Sequence, residues 1–270
     1  MPAYIELTEF VERAVFVFGS NVRGIHGSGS AKFAFQYRGA KIGVGEGLVG
    51  QSYALPTKQN PSKLDKNYIA DLNLLQDSVS KFLAFARKHK ELSFMITRVG
   101  CGLAGFNDDQ VKLLFKDAPE NCFLPGMWTP NRDAMIVAGS RSINENDAYN
   151  YLQENIAGIF KGRIVTGMAK GVDSAAYKWA SDYGLVTVKA PARWDKYGKA
   201  SGYIRNQWMS WYATDLLALW DGESRGTKHM IDIAHNDGLF VKIIQYQNTQ
   251  PNADYREGHY CQSPHLLDGA

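Results

Sequence analysis

The residues of this chain best suited to chemistry lie in glycine-dense turns, each following a short apolar run. In the first half these turns are His26-Gly27-Ser28-Gly29-Ser30-Ala31 and Gly100-Cys101-Gly102-Leu103-Ala104-Gly105-Phe106. Glycine lets the backbone approach a ligand closely and adopt positive φ, so that successive N–H groups face one anion. Four segments of the second half have the same placement. They are Gly139-Ser140-Arg141, Thr166-Gly167-Met168-Ala169-Lys170-Gly171-Val172-Asp173, Pro191-Ala192-Arg193-Trp194 and Gly222-Glu223-Ser224-Arg225-Gly226-Thr227. Arg141 offers a guanidinium fork to a phosphate, and Lys170 a point charge. Gly226-Thr227 opens a helix, whose free N–H groups and dipole favour an anion. Together these patterns predict the binding of a phosphate-bearing, nucleotide-type molecule.

Within the loops of the first half, His26 is the residue whose ordinary pKa suits a general base near neutral pH. Cys101 sits between two glycines with no histidine close in sequence to activate it, and it reads as a structural thiol. The cysteines Cys101, Cys122 and Cys261 form no C-x-x-C pair, so neither a zinc site nor a disulfide framework is indicated, and no metal or cofactor is expected. Over 193–212, Trp194, Tyr197, Tyr203, Trp208, Trp211 and Tyr212 interleave with Arg193, Lys196, Lys199 and Arg205. Such a segment stacks bases, or else gives Trp208 and Trp211 to a core or subunit contact. Stacking of Trp194 or Tyr197 on one adenine ring is the reading adopted here.

The elements that must position these loops follow from periodicity. Ala14–Phe18, Ser52–Leu55, Ser93–Thr97 and Cys122–Leu124 read as strands of the first half. Apolar positions Ile69, Leu72, Leu75, Val79, Phe82 and Ala86 predict one amphipathic helix over 67–89. Asn107 predicts a cap for a helix whose first turn carries Asp108 and Asp109. Pro125-Gly126 and Thr129-Pro130-Asn131 form the expected linker. The second half alternates: strands at 134–138, 163–166, 185–190, 216–220 and 240–244, helices at 147–160, 172–183, 203–212 and 227–235. That order predicts βαβ units and a parallel sheet. The expected organisation is one domain over 1–130, a second over 131–246, and a polar tail over 247–270.

Composition narrows the function classes. The chain has 270 residues, 45% of them hydrophobic and 21% charged, with a formal net charge of +3. Residues 1–130 carry 15 Lys/Arg and 12 Asp/Glu, and residues 131–270 carry 15 of each. No basic run or arm stands out, so nucleic acid is not expected as a partner. No apolar stretch approaches the ~20 residues that span a bilayer, and the N-terminus lacks a signal-peptide core. A cytoplasmic protein is expected, with a homo-oligomer left open.

The motifs also carry two resemblances. Asn21 followed by the glycine-rich turn into Ala31, with Gly100-Cys101-Gly102-Leu103 before a helix, resembles macro domains over about residues 14–125. The resemblance implies ADP-ribose bound between the two loops. It departs from the ester-hydrolysing branch at Phe35, where that branch places a lysine, and at Ala104, where it places an acid. Residues 133–246 resemble the SLOG superfamily, most closely its YpsA-like branch. The carrying residues are Gly139-Ser140-Arg141, Gly167…Gly171…Asp173, Trp194…Tyr197-Gly198…Gly202…Arg205-Asn206 and Trp220-Asp221-Gly222-Glu223-Ser224-Arg225-Gly226-Thr227. Met230 stands where the phosphoribohydrolases of that superfamily place a glutamate. The resemblances imply two three-layer α/β/α domains, a macro-like mixed sheet followed by a Rossmann-like parallel sheet. They further imply that the chain senses, sequesters or processes ADP-ribose or a related NAD-derived nucleotide. An ADP-ribose-phosphate phosphatase or ADP-ribosyl hydrolase centred on His26 is the alternative, and a nucleic-acid-associated protein using 193–212 a third.

Overall fold

The computed structural model describes residues 4–59, 71–129 and 132–246, with a further strand at 256–258. The expected linker residues Pro130 and Asn131, the helix start at 67–70, Cys261 and the rest of the 247–270 tail lie outside the described residues. The chain opens with β1 (Tyr4–Glu6) and α1 (Leu7–Arg13), then β2 (Val15–Ser20), α2 (Gly29–Tyr37), β3 (Gly47–Val49) and β4 (Ser52–Pro56). Next come α3 (Leu72–Lys88), β5 (Phe94–Ile96), α4 (Asp108–Leu114) and β6 (Cys122–Phe123). The second half runs β7 (Ala134–Gly139), α5 (Glu145–Asn155), β8 (Arg163–Thr166), α6 (Val172–Asp182), β9 (Thr187–Lys189) and α7 (Trp194–Tyr197). It continues through α8 (Ser201–Tyr212), β10 (Asp215–Trp220), α9 (Arg225–Asn236), β11 (Phe240–Gln245) and β12 (Arg256–Gly258). Both sheets are flanked by helices, so the chain comprises two α/β domains, the second of them Rossmann-like.

Two compact units result, one over Val11–Trp128 and the other made of the N-terminal segment through Phe10 with the chain from Thr129 onward. The sheet of the Val11–Trp128 unit has the order β3-β4-β2-β5-β6, with β3 antiparallel to β4 and the other neighbours parallel. Its α3 behaves as the apolar spacing predicts. Leu75, Val79, Phe82, Leu83 and Ala86 are buried against the strands, and Phe82 meets Tyr53 and Phe94 edge-on at 5.0 and 5.3 Å. Asp71 caps the helix, its side chain accepting from Leu74 N–H at 3.0 Å. Asn107 caps α4 in the same way, accepting from Asp109 N–H at 2.7 Å.

The second sheet has the order β1-β9-β8-β7-β10-β11-β12, parallel throughout except at β12. The first strand is the departure from expectation, since residues 4–6 belong to this sheet and not to the first half. A strand of three residues carries no alternation by which a sequence could assign it. Its pairing beside Thr187–Lys189 is reinforced by Lys189 Nζ, 4.0 Å above the Tyr4 ring, and by Thr8 Oγ1 donating to Pro191 O at 2.9 Å. Helix α5 stops at Asn155 where the periodicity predicts continuation to 160, because Gly158 takes φ 79° and turns the chain. Trp179, fully buried, anchors the core between α6, α5 and β8 with Tyr151, Leu152 and Ile164.

Strand order fixes where a ligand has room. From β7 the chain winds outward to β8 and β9, then returns across the sheet to β10 and β11. The loops leaving β7 and β10 therefore diverge to opposite sides and open a crevice at the carboxyl edge, the position at which open α/β sheets bind ligands. The other sheet has the same kind of reversal between β2 and β5. There the loops after the two strands adjoin, and a Cβ added at Gly19 would lie 3.3 Å from Gly100 N.

Candidate functional site

At the β7/β10 crevice lies a cavity of about 420 Å³. Its lining brings together Gly139, Arg141, Asp173, Trp194, Arg205, Asn206, Ser224, Gly226 and Thr227, all of them sequence-predicted site residues. Ser140, Gly167, Lys170, Gly171 and Gly222 were expected in the same site and are not among the lining residues. Ser140 is fully buried and clamps two loops, its Oγ accepting from Asp221 N–H at 3.1 Å. Gly167 acts from behind the lining. A Cβ there would stand 1.4 Å from Arg205 Nη1, so the bare backbone is what admits the guanidinium. Gly171, at φ 84°, starts α6 close to Ile143 O, and Gly222 turns at φ 82°.

The base of the cavity is a buried ion pair. Asp173 is 4% exposed, its Oδ2 accepting from Ala169 N–H at 3.3 Å and lying 3.5 Å from Arg205 Nη1. Burial pushes the Asp173 carboxyl up, and Arg205, the Ala169 and Gly139 N–H groups and Arg141 only partly oppose it. Burial likewise lowers Arg205, against the pull of Asp173. Arg205 Nη1 also donates to Gly167 O at 2.5 Å, while its buried Nε finds no acceptor among the described residues. A buried donor left unmade costs about 1–3 kcal/mol, more for a charged group.

One wall is the N-terminal end of α9. Ser224 caps it, its Oγ accepting from Thr227 N–H at 3.4 Å and from Thr227 Oγ1 at 3.0 Å. Asn206 ties this end to α8 by donating to Gly226 O at 3.1 Å, and its amide lies 3.3 Å from His229 Nδ1. Burial lowers His229, which sits edge-on to Tyr203 at 4.5 Å. Asp221 holds the β7 and β10 loops in register, accepting from Ser142 Oγ at 2.6 Å and from Ser224 and Glu223 N–H at 2.8 and 3.0 Å. Burial would raise its carboxyl, but these hydrogen bonds prevail and hold it down to about 2.

The rim is aromatic and cationic. Trp194 and Tyr203 line the cavity at 55% and 47% exposure, beside the exposed cations Arg141 and Lys199. Trp208, Trp211 and Tyr212 are buried, so half of the aromatic run over 193–212 serves the core. Lys199, Gly202, Tyr203, Met209, Asp221 and Met230 also line the cavity. Gly202, Tyr203 and Met209 lie on α8, Met230 on α9, and Lys199 and Asp221 in the turns before α8 and after β10, so the six come together only in the fold.

In the Val11–Trp128 unit the predicted loops are largely self-contained. Asn21 is 3% exposed and closes its own turn, donating from Nδ2 to Ile25 O at 2.7 Å and accepting from Ile25 N–H at 3.1 Å. His26 is also 3% exposed, with Nε2 3.2 Å from Lys41 O and its ring edge-on to Phe18 at 5.2 Å. Burial lowers its pKa, and hydrogen bonds with the Lys41 and Val44 backbone oppose the shift. Cys101 fits the structural reading, since burial and Asp108 push its thiol up to about 12. Asp108 is itself held by Arg98 and by Trp128 Nε1–H at 2.5 Å. Phe106 packs on Gly100, whereas Gly27 and Gly102 have open room where a side chain would stand. Ser28 precedes α2 without a side-chain cap bond, and Gly29 and Ser30 form its first turn. Leu103 is exposed, and Ala104 and Gly105 complete the turn into Phe106. Among the described residues no helix is long and apolar enough to cross a membrane, and no cluster of potential metal ligands occurs.

No family model matches the chain, and no curated protein matches it. Among solved structures, the X-ray structure of DNA processing protein A (DprA) from Streptococcus pneumoniae matches with 20% identity and a TM-score of 0.37. That match covers 44% of this chain and about half (52%) of the other.

Proposed function

We propose that this chain is a nucleotide-binding protein that holds a phosphate-bearing nucleotide in the cavity at the β7/β10 crevice, with ADP-ribose or a related NAD-derived nucleotide as the ligand class. The observation that carries the reading is the coincidence of three things at the switch point of one parallel sheet. These are an aromatic surface at Trp194 and Tyr203, exposed cations at Arg141 and Lys199, and the start of α9 at Gly226-Thr227. A base stacks on the first, and a phosphate is drawn by the other two. Binding is favoured over turnover. His26 is enclosed, Ala104 and Met230 stand where resembling hydrolases carry acids, and Asp221 is committed to its loop. Adjoining loops with open room at Gly27 and Gly102 support a second, separate site for the same ligand class in the Val11–Trp128 unit.

Calorimetric titration of the full chain with ADP-ribose, NAD and ADP tests the proposal. Arg141→Ala removes a charge-assisted contact worth roughly 1.5–3 kcal/mol and should weaken binding about 10- to 150-fold. Arg141→Lys should restore only part, because an ammonium lacks the planar fork. Trp194→Ala should cost a stacking contact of roughly 1–3 kcal/mol. Folded variants that bind as tightly as the unaltered chain would remove the cavity from the account.

A further inference from the structure

We infer that Asn206 reads the exocyclic amino group of a base stacked on Trp194, so that the cavity selects a nucleotide whose base carries such a group, adenine in the ligand class proposed above. The inference rests on that nucleotide reading and names the residue that sets its base specificity.

Asn206 is 5% exposed and lines the cavity from α8. Its Nδ2 donates to Gly226 O at 3.1 Å and lies 3.3 Å from His229 Nδ1. A carbonyl can only accept, so the amide has its NH2 turned to α9, and both hydrogens are engaged there. Burial lowers His229, which favours the neutral ring whose Nδ1 accepts. What remains is Oδ1. No donor reaches it among the described residues, yet it is not one of the polar side-chain atoms that lack both a partner and accessible surface. Oδ1 therefore keeps surface open to the cavity that its side chain lines, whereas Arg205 Nε is sealed.

The fold places this acceptor beside the aromatic surface. Gly202 and Asn206 are four residues apart on α8, so they are neighbours on one face of it. A Cβ on Gly202 would stand 3.8 Å from Trp194 Cη2, which puts the indole edge one helical turn from Asn206. A phosphate belongs in front of α9, where the free N–H groups point. Asn206 instead bonds a carbonyl, which points the other way along that helix, and its second neighbour His229 lies a turn further on. The part of the nucleotide that meets Oδ1 is therefore the edge of the stacked base. That edge must donate. An oxo group would set a second acceptor against Oδ1, and an apolar edge would cover it and leave it unmade. An exocyclic amino group supplies the donor and imports no charge.

The test compares ADP with purine riboside 5′-diphosphate, in which hydrogen replaces the amino group, by calorimetry on the full chain. A base that covers Oδ1 without donating leaves a buried acceptor unmade, so the analogue should bind about 5- to 150-fold more weakly than ADP. Asn206→Leu, which keeps the branched shape and removes the acceptor, should bring the two affinities together, chiefly by weakening ADP; Asn206→Ala serves if the leucine variant does not fold. An Asn206 that acts only by tying α8 to α9 would, when replaced, weaken both ligands in proportion and leave their ratio intact, which overturns the inference. Equal affinity of the unaltered chain for the two ligands needs no variant and also overturns it, while leaving the nucleotide reading in place. Failure to bind either overturns both.

Discussion

Arg205→Met should destabilise the protein by about 3–5 kcal/mol at neutral pH, the usual cost of removing one partner from a buried ion pair. Methionine fills much of the space but leaves Asp173, 4% exposed, with no cation at 3.5 Å, and leaves Gly167 O without its donor. The loss should depend on pH in a definite direction. Burial already raises the folded-state pKa of Asp173, and without Arg205 the rise is larger. A carboxyl whose folded pKa exceeds its unfolded value binds more protons in the folded state between the two. Its stabilising contribution is fully present below the unfolded pKa, near 3.9, and is lost as pH rises through the folded pKa. The gap between Arg205→Met and the unaltered chain should therefore narrow as pH falls from 7.5 towards 5. Urea melts at both pH values check this, and a gap that is constant or widens at low pH would show that Asp173 is not the group left stranded.

Gly139→Val should cost about 3 kcal/mol, at the upper end of what overpacking does. A Cβ at this position would meet Leu219 O at 2.5 Å and Val172 Cγ2 at 2.5 Å. One of these is strand backbone, and the other belongs to a residue fully buried in the core, so neither yields cheaply. The strain falls between β7, β10 and the start of α6, the elements that carry Arg141, Asp221 and Asp173. Nucleotide affinity should therefore drop along with stability. A denaturation midpoint within 1 kcal/mol of the unaltered chain would mean that the crevice tolerates far more than its packing allows.

Gly139 also illustrates what was legible in the sequence. A glycine ending an apolar run marks a strand end, and the four such ends of the second half do reach one edge of the second sheet, through Gly139, Asp173, Trp194 and Thr227. The reason each glycine is required was not legible. Gly139 is fixed by a carbonyl 80 positions away, and Gly167 by an arginine on a helix 38 positions on. The contact between Arg205 and Asp173 was equally hidden, although each was expected in the site, because nothing in the spacing pairs residues 32 positions apart. In the first half the histidine in a glycine turn looked like chemistry, and the structure places it at 3% exposure. His26 lies under Phe18 and the Lys41 carbonyl because the 40–45 turn folds over its loop, with Gly45 against Asn21 O. The strand at 4–6 escaped assignment for a different reason, since its partner is 183 residues away and its own length carries no period.

The central claim, that a nucleotide sits against Trp194 at the β7/β10 crevice, is tested most directly by the indole N–H resonances of the tryptophans. Trp194 is 55% exposed and lines the cavity, whereas Trp179 and Trp208 are buried at 0% and 1%. Adding ADP-ribose or ADP to the nitrogen-15-labelled full chain should shift one exposed indole signal, identified as Trp194 by its disappearance in Trp194→Phe, and leave the Trp179 signal in place. Saturation of that shift with concentration, lost in Arg141→Ala, is the result the account predicts. Nucleotide binding with the Trp194 signal unmoved, or with changes confined to residues 11–128, would contradict it.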